Sequence, residues 1–156
     1  MTRWLDQDEQ RTWRSFLATS QLLNAALDRQ LQRDAGITLA SYVVLAMLSE
    51  APGRSLRMSE LAAAANASPS RLSHSVARLQ ERGWIRREPA SEDGRGTVAV
   101  LTDAGRDMLV RTAPGHVGAV RGHVFDRLTR DQVRTLGEVC ATILHSLDQN
   151  RVARPC

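Results

Sequence analysis

The 156-residue sequence contains no lysine, only two cysteines and five prolines, and few aromatic residues: one tyrosine, two phenylalanines and three tryptophans. Two cysteines, at 140 and 156, form neither a disulfide framework nor a metal-ligand spacing. No apolar run approaches the roughly 20 residues of a membrane-spanning helix, and "MTRWLDQDEQ" lacks the basic flank, apolar core and cleavage site of a secretory signal. The expectation is a cytoplasmic protein with no membrane partner. Phosphate loops, nucleophile elbows and paired catalytic carboxylates are also missing, so no enzyme, catalytic residue or cofactor is expected. His116 and His123 are seven apart, but an expected interruption at Pro114 argues against a shared metal site, and none is predicted. The formal charge of +4 rests wholly on arginine, which suits a polyanion partner without requiring one. A hydrophobic content of 42% excludes wholesale disorder.

What is present is helical periodicity. Trp13, Phe16, Leu17, Ser20, Leu23, Leu27 and Leu31 recur at steps of one, three or four, predicting a helix over 8–34 that stops at "DAG". At about 25 residues it would be roughly 37 Å long, more than a small core needs, so part of its stripe is expected to meet another chain. A second helix is capped by Thr38 and buries Val43, Val44, Met47 and Leu48 before "APG". "SLRMSELAAAA" reads as a bridging segment and a short helix capped by Ser59, and "NAS" as a tight break.

The stretch "SPSRLSHSVARLQERGW", residues 68–84, has Ser68 as its cap and Pro69 at the first helical position, where a missing N–H is harmless. At 100° per residue Leu72, Val76 and Leu79 share the core face, while Arg71, His74 and Arg78 lie opposite with Ser70 and Glu81 nearby. About three residues separate this helix from the preceding one, which is helix-turn-helix spacing, and the second helix of such a pair enters a DNA major groove. Its serines and first arginine would meet phosphates and base edges. A solvated polar face is the plainer alternative.

Beyond Gly83, "WIRREP" and "TVAVLT" read as two strands joined by "ASEDGRG". Helix, helix, hairpin makes a winged helix. Arg95 stands at the loop tip where a wing reaches a minor groove, beside Asp93, although an ordinary turn residue would look the same. Between residues 68 and 95 six arginines face four acids, a modest excess that two-fold symmetry would double. The C-terminal third supplies the means: a helix capped near Thr102 that Pro114 should kink or end, then a last helix after Thr129 carrying Val133, Leu136, Val139, Cys140, Ile143, Leu144 and Leu147. The fold class is therefore mainly α with a small β hairpin: a winged helix-turn-helix whose N- and C-terminal helices form a dimerisation platform. The expected division is 1–36 and 103–148 for dimerisation, 37–102 for the winged helix, and a loose tail over 149–156.

"RMSELA", "SRLSHSVARLQERGWIRRE" and "DGRGTVAVLTDAG" together resemble the MarR family of bacterial winged-helix transcription factors across residues 10 to 148. The resemblance implies a homodimer on an inverted repeat of double-stranded promoter DNA, usually repressing and often released by a small phenolic or lipophilic effector. It carries DNA contacts onto Ser68, Ser70, Arg71, Ser73, His74 and Arg78, and the wing pair onto Asp93 and Arg95. Gly94 departs from the family's commoner basic wing. Effector lining falls on Trp13, Phe16, Tyr42 and His116, with the alternative that Trp13 and Phe16 are dimer core and Tyr42 caps it. A dimeric protein-interaction or antirepressor module that does not bind DNA is the second functional reading.

Overall fold

A computed structural model describes residues 1–90 and 96–152. The chain divides into two compact units, residues 1–117 and a second beginning at Gly118. Among the described residues no helix is long and apolar enough to cross a membrane.

In the first unit, α1 (Gln7–Ala35) starts at Asp6, whose carboxylate accepts from the amides of Asp8 and Glu9 at 2.8 Å while Glu9 reaches back to the Asp6 amide. It ends at Gly36, left-handed at φ 63, where a side chain would be strained. Thr38 caps α2 (Leu39–Glu50) as expected, and Val44, Leu45 and Leu48 are buried; Val43 and Met47 are only half-buried. After it comes β1 (Ser55–Arg57), a strand where the sequence suggested only a bridge. Helix α3 (Met58–Ala64) corrects the expected cap: the capping position is Arg57, and Ser59 lies inside the helix. Arg57 leaves the strand with extended backbone, and its N–H donates to Glu60 Oε2 at 3.1 Å, so the first turn closes without the serine.

Asn66, at φ 50, makes the sharp turn into α4 (Pro69–Glu81), which Ser68 caps by accepting from the Arg71 amide at 3.3 Å. Then β2 (Ile85–Pro89) and β3 (Thr97–Leu101) form the hairpin, and β1 pairs antiparallel with the other edge of β3, in the order β1-β3-β2. Leu72, Val76 and Leu79 of α4 are buried with Leu31, Leu45, Leu48, Leu61, Ile85 and Leu101 in one core beneath the sheet and helices.

Thr102 caps α5 (Asp103–His123), its Oγ1 accepting from the Gly105 amide at 3.1 Å and donating to the Gly83 carbonyl at 2.6 Å. Pro114 does not end this helix. Proline lacks one N–H but its φ is helical, and the turn that follows is tied into the first unit through His116, described below. In the second unit α6 (Arg130–Val152) begins at a reciprocal cap: the Gln132 amide donates to Thr129 Oγ1 at 3.3 Å, and the Thr129 amide to Gln132 Oε1 at 2.9 Å.

Candidate nucleic-acid interface

The amphipathic split of α4 places its chemistry. Because Leu72, Val76 and Leu79 are held by the core, Arg71, His74 and Arg78 must face out, and all three are exposed. Their side chains make no ion pair or hydrogen bond with another described residue. Other exposed arginines, 86, 121 and 134, are each paired with a carboxylate. Ser68 and Ser70 are exposed at the start of the helix, whereas Ser73 is half-buried and its backbone carbonyl accepts from Arg87 at 2.9 Å. The Ser68 and Ser70 hydroxyls and three uncommitted bases thus sit along one open face. Such a face can hold an anionic backbone at one end and read hydrogen-bonding edges along its length. Asp93 and Arg95 lie outside the described residues.

The four effector candidates fall into two pairs. Trp13 and Phe16 stack at 6.2 Å between centroids on an exposed stretch of α1. Tyr42 of α2 and His116 of α5 meet at 4.5 Å, half-buried, and His116 lies beside Gln30, 14 residues beyond Phe16 on α1. There a short relay fixes a tautomer. Asp34 Oδ2 accepts from Gln30 Nε2 at 2.7 Å, so the Gln30 carbonyl oxygen faces His116 Nδ1 at 3.1 Å, and that nitrogen must donate. The neutral ring therefore keeps its Nε2 lone pair as an acceptor. Burial lowers the His116 pKa and raises that of Tyr42, each favouring the uncharged form. Gln30 escaped sequence reasoning because a buried glutamine on a helical stripe carries no motif. Among the described residues no three histidine, cysteine or acidic side chains gather as a metal site.

Comparison with known proteins gives these features a context. Residues 35–96 match a family model described as "MarR family". The chain is 36% identical over 99 residues to the HTH-type transcriptional repressor Rv2887 of Mycobacterium tuberculosis, covering 64% of this chain and 69% of that repressor. Among solved structures it is similar to Sco3205, a MarR family transcriptional regulator from Streptomyces coelicolor in complex with DNA, at 52% identity and a TM-score of 0.91, covering 94% of this chain and 92% of the other. It is also similar to AbsC, a MarR family transcriptional regulator from the same organism, at 39% identity and a TM-score of 0.89 over 95% and 99% of the two chains. With the winged helix and the exposed face of α4 already in place, this likeness settles the lineage: the chain belongs to the MarR family of transcriptional regulators, which are not enzymes.

Proposed function

We propose that this regulator is a repressor that binds an inverted repeat of double-stranded promoter DNA as a homodimer. The observation that carries the reading is the row Arg71, His74 and Arg78, exposed and uncommitted on the outward face of α4. The 52% likeness to a regulator solved with DNA supports it. In this reading the Ser68 and Ser70 hydroxyls and the Ser70 amide hold phosphate, Arg71 reaches a base edge or a central phosphate, and His74 and Arg78 follow the backbone. Ser73 serves through its position, and Asp93 and Arg95 belong to the wing. Residues 37–102 form the DNA-binding part, and 1–36 with 103–148 the dimerisation part.

A small lipophilic or phenolic effector releases the DNA by acting at Tyr42 and His116, where one hydrogen-bond acceptor lies beside an aromatic ring. Trp13 and Phe16 are assigned to the dimer face, since they stand exposed in a single chain. The test is titration of the protein against DNA from its own upstream region, and against a broad pool of inverted repeats, at several salt concentrations. Specific binding that weakens steeply with salt is the expected result. No binding at low salt to either DNA would favour the protein-interaction module instead.

A further inference from the structure

Alternation along β2 gives its two arginines opposite surroundings. Arg86 is exposed and pairs with Glu88 on its own strand at 2.5 Å. Arg87 shares a face with Ile85, which is buried in the core, and so points at α4. Its stem lies with Ala77, Gln80 and Glu81 along a shallow cleft of about 430 Å³, and its terminal nitrogen donates to the Ser73 carbonyl at 2.9 Å. Its Nε is buried with no hydrogen-bond partner. An aliphatic side chain would pack there without stranding an N–H. The half-buried guanidinium instead makes one bond, to the middle of the helix, at the residue between Arg71 and Arg78 and directly before His74.

We propose that Arg87 is the positioning residue that locks the wing strand to the recognition helix, so that both reach DNA in a fixed relation. The inference rests on the DNA-binding reading above. Two contacts held rigidly together bind far more tightly than the same contacts on parts that move independently, because the second is made at high effective concentration. The link therefore contributes to recognition of the correct site, where helix and wing must dock together. Random DNA needs only the cations, which Arg87 does not supply.

The experiment compares the wild-type protein with Arg87→Met, which keeps the stem and removes every donor, and Arg87→Lys, which restores one. Affinities are measured on the best-bound inverted repeat selected from a pool and on scrambled DNA of equal length. Backbone hydrogen exchange is followed without DNA. The Met variant is expected to lose about tenfold on the inverted repeat, roughly 1.4 kcal/mol, and less than about twofold on scrambled DNA. Its amides in residues 97–101 should exchange faster while those of α4 are little changed, and Lys should recover most of both effects. Unchanged affinity for the repeat in a folded Met variant, or equal losses on the two DNAs, would overturn the proposal. Should the wild type bind neither DNA, the DNA-binding reading falls alone, and exchange decides the link: acceleration reversed by Lys upholds it, and unchanged exchange removes it.

Discussion

Arg71 and Arg78 share one face of α4 about two turns apart, yet their positions set different tasks. Arg71 lies in the first turn of α4, which the proposed reading puts in the groove, and Arg78 lies in its last turn, which the same reading puts against the backbone. Arg71→Ala should therefore cost roughly 1 to 3 kcal/mol on the cognate site and much less on scrambled DNA. Arg78→Ala should weaken both alike and lower the salt slope by about one. Equal losses for Arg71→Ala on the two DNAs would remove its base-reading role. His116 sets a different residue-scale expectation. Burial holds its folded pKa below the unfolded value near 6.5, so the unfolded chain binds the proton more readily. Its contribution to stability is complete above about pH 6.5 and is lost as pH falls from there through the folded pKa. His116→Gln, neutral at every pH, should flatten that part of the denaturation midpoint against pH, and an unchanged profile would assign the acid sensitivity elsewhere.

At the scale of elements, the first turn of α5 is pressed against the start of the hairpin. A Cβ on Gly105 would stand 2.3 Å from the Trp84 carbonyl oxygen and 2.7 Å from Leu101 Cδ1. Backbone cannot yield there as a flexible side chain would, so Gly105→Ala should destabilise by about 1 to 3 kcal/mol or more, lowering the melting temperature by several degrees. A variant as stable as the parent would mean that α5 shifts freely on the sheet. Gly105 was not singled out by sequence, because a tolerated helical glycine reads the same as an obligatory one until its neighbour is known. Where the decisive forces are local, sequence was enough: Thr38, Ser68, Thr102 and Thr129 cap the helices they were expected to cap, and the 3.6-residue period sorted α4 into its two faces. Non-local determinants stayed hidden. β1 exists because Ser55, Leu56 and Arg57 pair with Val100, Ala99 and Val98, over 40 residues away. That pairing also moved the start of α3 from the expected Ser59. Gln30 and His116 are 86 residues apart, and Arg87 looked like any strand arginine until α4 lay beside it.

For the whole molecule the outstanding quantity is apolar surface. On α1, Trp13, Phe16 and Leu17 are exposed, and on α6 so are Leu136, Val139, Ile143, Leu144 and Leu147, with Leu144 at 58%. Isolated exposed apolar residues are ordinary, but periodic stripes on two long helices are what a chain carries when a second copy covers them. A stable interface needs about 800 Å² from each partner, which stripes of this length can supply. Two-fold pairing also fits the modest local charge of the recognition region, since affinity then comes from two half-sites about 34 Å apart rather than from a dense cationic patch. Sedimentation equilibrium at micromolar concentration should return about twice the 17.2 kDa chain mass. Leu144→Arg, which alters an exposed residue of the single chain and leaves its core untouched, should weaken the dimer by at least about tenfold, or 1.4 kcal/mol. Operator affinity should fall with it, while each chain keeps its helical spectrum. A wild-type protein that remains at 17.2 kDa throughout would overturn the homodimer, and a Leu144→Arg variant that stays dimeric would take α6 out of the interface. A monomeric variant that still bound the inverted repeat at full affinity would separate recognition from dimerisation altogether.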